Sequence, residues 1–308
     1  MPVPVRRFEW DDAVPGPRSD EFVTRVTDES IRAYAEATGD RLPEGPAGSA
    51  VTAPSGYVFV AAPQRRHATM ASIGCRAPEQ DPFEPRSTPY VGSDVRYFRP
   101  IRAGDTVHSV TVLDRKFERG GNRFVVFRVD ASDEAGRPVA VYDYTCLWER
   151  VPGRTGRSQR RPASGHGIGP PGRDPGSETG PVLVKAETVE TIAAYGGLPV
   201  GRPQDWMSTH TNEEFARSAI FGGAVNAGVA TACYTAQWLD LVEQPGVLWH
   251  RGRLESRALA PVRAGDILQI TGQVREEPGD DTVRVYEIVA VNQAGVTAFR
   301  SVATVRSA

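Results

Sequence analysis

The chain has 308 residues, 40% of them hydrophobic and 24% charged, with a mean hydropathy of -0.36. That length and composition suit one large or two modest soluble domains with a buried core, and exclude wholesale disorder and membrane spans. Lys+Arg of 36 against Asp+Glu of 38 leaves a formal net charge of -2, so no global field draws the chain to nucleic acid or to an anionic membrane.

Three widely separated cysteines, Cys75, Cys146 and Cys233, exclude a readable disulfide framework or zinc knuckle. The amino terminus carries early acids and no long apolar run, unlike a signal peptide, so the expected compartment is the reducing cytoplasm. In the first half, Thr27 to Asp40 has helical spacing. Gly56 to Ala62 is a short apolar run that meets Pro63, and proline ends or bends a helix. His67 follows in Gln64-Arg65-Arg66-His67 and is read as solvated. β-rich runs then close the half, with Arg119-Gly120-Gly121-Asn122 as a hairpin signal.

Residues 151–180 consist almost wholly of Gly, Pro, Arg and Ser and cannot bury enough apolar surface to offset their ordering entropy. They are read as a flexible linker between domains at 1–150 and 181–308. In the second half Lys185 to Tyr195 is a helix-like run, and Asn226 to Val242 is a long apolar helix on which Cys233 is a buried small hydrophobe. Four strands follow, Gly252 to Leu259, Ile267 to Arg275, Thr282 to Val291 and Val296 to Arg306. Their period of two puts Leu268, Ile270 and Val274 on one face.

The halves are similar. Pro100-Ile101-Arg102-Ala103-Gly104-Asp105-Thr106-Val107 matches Pro261-Val262-Arg263-Ala264-Gly265-Asp266-Ile267-Leu268 at five of eight positions, and Asp133-Glu134-Ala135-Gly136 corresponds to Asn292-Gln293-Ala294-Gly295. The expected fold is α+β, an antiparallel sheet curled around a central helix, built twice. That pattern resembles a double hot dog, two such units joined as a pseudo-dimer within one chain.

Asp205-Trp206-Met207-Ser208-Thr209-His210 and then Ala216 follow the spacing Asp, four residues, His, five residues, small residue. With Phe221-Gly222-Gly223-Ala224-Val225-Asn226-Ala227-Gly228 behind it, this segment resembles the MaoC-like dehydratases and type 2 (R-specific) enoyl-CoA hydratases. Met207 and Ser208 stand where that family has Asn and Pro, and Ala227 where it has His. The first half resembles the FAS1-like dehydratase domain in a degenerate form, because the residue five after Asp40 is Gly45.

The resemblance implies a (3R)-hydroxyacyl-thioester dehydratase or enoyl-thioester hydratase acting on acyl-CoA or acyl-ACP, with no cofactor or metal and no nucleic-acid or membrane partner. Asp205 and His210 are the implied acid/base pair, which such chemistry needs to handle the proton of water. Gly228 is the implied oxyanion site at a helix start, where unpaired N–H groups favour an anion. Gly223, Asn226 and Arg257 are candidates for substrate binding. Two other readings stay open: a noncatalytic acyl-thioester binding or partner subunit, and another hot-dog reaction such as thioester hydrolysis or oxa-Michael ring closure. Association of whole chains into a homo-oligomer also stays open.

Overall fold

The structure is a computed structural model that describes residues 6–42, 48–150, 180–275 and 282–306. The expected linker, apart from Gly180, and Gly45 lie outside the described residues. The first half runs β1 (Arg6–Arg7), β2 (Phe22–Arg25), α1 (Asp28–Thr38), α2 (Val58–Ala61), α3 (Arg66–Ala71), β3 (Cys75–Arg76), β4 (Tyr90–Tyr97), β5 (Thr106–Arg119), β6 (Asn122–Asp133) and β7 (Pro138–Arg150). The second runs β8 (Leu183–Ala186), α4 (Val189–Gly196), α5 (Glu213–Ser218), α6 (Gly228–Val242), β9 (Arg253–Ala258), β10 (Ile267–Arg275), β11 (Val283–Val291) and β12 (Thr297–Arg306).

Ten strands form one sheet in the order β2-β5-β6-β7-β4-β9-β12-β11-β10-β8. The two halves contribute equivalent strands in mirrored order and meet where β4 pairs antiparallel with β9, Ser93 opposite Ser256 and Val95 opposite Leu254. This is the double hot dog that the repeat implied.

The matching octapeptides are the same turn. Asp105 Oδ2 accepts the Arg102 N–H at 2.7 Å, and Asp266 Oδ2 accepts that of Arg263 at 2.8 Å. Gly104 and Gly265, at φ 94 and 92, take the left-handed conformation that glycine adopts without penalty. Helices α1 and α4 also start alike, with Thr27 and Ser30, or Thr188 and Thr191, exchanging reciprocal side-chain to backbone bonds that satisfy otherwise unpaired N–H groups.

Two local expectations are corrected. The run read as helical from Lys185 begins as a strand, because Leu183 to Ala186 pairs with the edge of β10 before Thr188 caps α4. Val274 shares the parity of the buried Leu268 and Ile270 but is 53% exposed, since the last three residues of β10 are all exposed.

Helix α6 fills the concave face of the second half, with Ala232, Cys233, Ala236, Trp238 and Leu239 all buried. Burial pushes the Cys233 thiol up to about 12, which keeps it as the protonated thiol and fits a packing residue. The corresponding helix of the first half is short: α2 ends at Ala61, and Pro63 separates it from α3, which packs against β3 and β5. The two central elements touch at Gly56, where an added Cβ would lie 2.6 Å from Cys233 Sγ and 2.2 Å from the Tyr34 hydroxyl. Gly56→Ala is therefore expected to cost about 1–3 kcal/mol by overpacking, read as a lower urea midpoint at unchanged slope. Among the described residues no helix is long and apolar enough to cross a membrane.

Candidate functional site

Where α2 breaks off, the core is incomplete, and a cavity of about 300 Å³ opens between the halves. The first half supplies Phe59, Gln64, Arg66, His67, Tyr90 and Tyr144 to its wall. The second supplies Arg202, Trp206, His210, Asn226, Gly228 and Val229.

His210 sits on the loop before α5, whose start is capped by Asn212 Oδ1 accepting the Phe215 N–H at 2.9 Å. Its Nδ1 lies 2.7 Å from the Val225 carbonyl oxygen. A carbonyl only accepts, so Nδ1 carries the hydrogen and the neutral ring leaves Nε2 with a free lone pair. Behind the ring, α4 ends at Gly196, where a Cβ would lie 2.9 Å from that of His210. Glycine is what allows this approach. Burial pushes the imidazole down to about 4, with the charges of Arg202 and Arg66 acting in the same direction.

Asp205 is not brought into the cavity with His210. It is exposed, and its Oδ1 accepts a hydrogen bond from Gln80 Nε2 at 2.9 Å. The reason is the anchoring of its loop to the first half. Trp206 turns inward, its ring 5.0 Å from the Arg66 guanidinium and 5.9 Å from the His67 ring, and the Met207 N–H bonds to the Glu79 carbonyl at 3.2 Å.

Gly228 is the first residue of α6, and its N-cap, Ala227, supplies no side-chain cap. The N–H groups of Gly228 and Val229 thus have no intrahelical acceptor, and both residues line the cavity. A Cβ at Gly228 would meet Tyr90 Cδ1 at 2.1 Å, so the glycine also lets a tyrosine from β4 lie against the helix start. Asn226 is on the wall too. Its Nδ2 donates to Glu187 Oε1 at 2.9 Å, while its Oδ1 is buried without a partner.

The two other residues expected to bind substrate are not on the wall. Gly223 lies beside the Arg263 guanidinium. Arg257 projects from the outer face of β9, where Leu254 and Ser256 of opposite parity point inward and are buried. Its alternation within the strand excludes it from a site under the sheet.

Sequence reading missed the contribution of the first half. Arg66, 7% exposed, donates from Nη2 to Glu79 Oε1 at 2.8 Å, and Glu79 is 2% exposed. His67, expected to be solvated, is half-buried, and desolvation pushes its imidazole down to about 4. The available signal was the position of this polar run. It directly follows a buried apolar run and a proline, so it lies at the end of a core helix, next to whatever space that helix leaves.

Residues 13–142 match the family profile described as "FAS1-like, dehydratase domain region". No curated protein matches the chain significantly. Among solved structures, a MaoC-like dehydratase aligns with a TM-score of 0.69 at 18% identity over 94% of this chain and 97% of its own. HtdX of Mycobacterium tuberculosis aligns with a TM-score of 0.58 at 17% identity, over 92% of this chain and 98% of its own. A conserved hypothetical protein of the same organism, described as having a double hotdog fold, gives 0.61 at 15% identity over 99% of both chains. The fold is accordingly a double hot dog, and the matched profile lies within its first half.

Proposed function

We propose that the chain is a (3R)-hydroxyacyl-thioester dehydratase or 2-enoyl-thioester hydratase, with one active site, in the cavity between its halves. The observation that carries this reading is His210. It is fixed through Nδ1, neutral, and shares a cavity wall with the uncapped start of α6.

In the hydration direction, His210 Nε2 takes a proton from water as the water oxygen bonds to C3 of the enoyl group. The electron pair of the C2–C3 double bond moves toward the thioester, and the developing negative charge on its oxygen faces the N–H groups of Gly228 and Val229. The imidazolium then returns a proton to C2, so one water has been added. Dehydration is the reverse, with the same group removing the C2 proton and protonating the leaving hydroxyl. The exposure of Asp205 and its bond to Gln80 support a single acid/base group rather than a dyad.

Loss of the enoyl-thioester absorbance on mixing with the protein, followed by chiral analysis of the product, tests the reaction. No change with any enoyl thioester would reject it. The space left by the short α2 supports a preference for extended or branched chains, because an apolar tail gains free energy for the surface it buries. Turnover of such substrates is expected to exceed that of crotonyl thioester. A preference for the four-carbon substrate of about tenfold or more in kcat/KM, worth about 1.4 kcal/mol, would contradict it.

The position of Asp205 outside the cavity also favours a second reading, a hot-dog protein that binds or hydrolyses acyl thioesters without hydrating them. Release of free thiol from saturated acyl thioesters, absent in a hydratase, separates the two.

A further inference from the structure

The cavity wall from the first half is polar in one particular way: its unmatched groups are mostly donors. Gln64 Nε2 and Arg66 Nε are both buried without a hydrogen-bond partner. Arg66 and Glu79 neutralise one another, with Glu79 Oε1 also accepting from the Thr88 N–H and hydroxyl, and Glu79 Oε2 is an unmatched acceptor in the same place.

Arg202 is different. Its Nη1 donates to the Gly196 carbonyl at 3.2 Å, and among the described residues it forms no ion pair. It lies on the same wall as Gln64 and Arg66, close enough to Arg66 and Glu79 for them to act on its charge, and to His210 for its own charge to act there. His67, held neutral, adds no charge. The wall thus carries, beside Arg66 and His210, a guanidinium that no carboxylate of the described residues pairs with; the Arg150 guanidinium, also on the wall, is a second.

In the open cavity water solvates that guanidinium. A purely alkyl chain packed against it would displace that water and leave the charge unpaired, which is costly. An anionic oxygen group in the same place would instead be met by a donor fork suited to it.

We propose that Arg202, with Gln64 and Arg66, forms a subsite for an anionic oxygen group of the ligand, either a carboxylate on its acyl chain or a phosphate of its carrier. This deepens the acyl-thioester reading and rests on it for the ligand class, but it can be tested without turnover. Saturated acyl thioesters cannot be hydrated, and where thiol release shows that they are hydrolysed the matching thioethers replace them, so binding is read by calorimetry whether or not the protein is a hydratase.

The probes are ω-carboxyacyl thioesters from glutaryl to suberoyl, each beside the alkanoyl thioester of equal chain length, on coenzyme A and on N-acetylcysteamine, which has no phosphate. If the anion belongs to the acyl chain, at least one carboxylated member binds about tenfold or more tighter than its alkyl counterpart on both carriers, and Arg202→Gln removes that ratio. If the anion belongs to the carrier, coenzyme A thioesters bind better than N-acetylcysteamine thioesters whatever the tail, and Arg202→Gln removes that difference instead. Gln64→Leu, a change at a half-buried position, is expected to reduce the same ratio by a smaller factor. The proposal is overturned if neither ratio exists in the parent protein, or if Arg202→Gln leaves both unchanged. It is equally overturned if Arg202→Gln lowers only the rate of hydration, which would assign the guanidinium to the thioester oxygen. Loss of hydratase activity in the parent protein with the binding ratios intact would reject the proposed reaction and leave the subsite standing.

Discussion

Replacing His210 with glutamine is expected to slow enoyl-thioester hydration by about a hundredfold or more, the scale of losing a positioned acid/base group, while Asp205→Asn stays within about threefold. The difference follows from geometry. His210 is on the cavity wall with Nε2 free, whereas Asp205 is exposed and bonded to Gln80. Steady-state kinetics on both variants decides the matter, and a dead Asp205→Asn enzyme with an active His210→Gln would refute the assignment. The pH profile provides a second measure. Because burial holds the native imidazole near 4 against 6.5 for the ordinary side chain, the base stays deprotonated and the acid limb of kcat/KM is expected near pH 4. The sign for stability follows from the same shift. Between about 6.5 and 4 the unfolded chain takes up a proton that folded His210 refuses, so stability falls as pH is lowered through that window. His67, shifted in the same direction, adds to the loss. A rate limb centred at pH 6.5 would show that His210 is more hydrated than its surroundings indicate.

Glu79→Leu is expected to destabilise the protein by about 3–5 kcal/mol, the usual cost of leaving one member of a buried ion pair alone. Glu79 takes the Arg66 guanidinium and both the N–H and the hydroxyl of Thr88 on a single oxygen, with both charged residues below 10% exposure. Its carbonyl also receives the Met207 N–H, so the segment ties the loop leading to His210 to the first half. The double variant Arg66→Met, Glu79→Leu is expected to recover much of the loss, since an apolar pair of similar size removes the uncompensated charge. Urea unfolding of the three variants measures both effects. A Glu79→Leu protein with an unchanged midpoint would mean that Arg66 reaches solvent when its partner is removed.

Several features were legible without coordinates. The octapeptide repeat fixes two equivalent turns, and alternating hydrophobicity marks β9 to β12 to within a residue or two. These are local matters of backbone conformation and periodicity, and they are decided by residues close in sequence. The early end of the first central helix was visible in Pro63 for the same reason.

The composition of the site was only partly legible. His210 and the glycine at 228 are recognisable from spacing within one loop and one helix start. Asp205 has equally good spacing, yet its direction depends on Trp206 docking onto Arg66 and His67, and on Met207 bonding to Glu79, all contacts between the halves. Likewise Arg257 looked like a cation near the site until strand parity placed it on the outer face. The sequence by itself determined the two-fold repeat, the long central helix and the four closing strands of the second half, and the loop that holds His210. Only the tertiary structure decided which side chains share the cavity, because that depends on pairing β4 with β9 and on the space left by a broken helix, neither of which any single stretch of chain encodes.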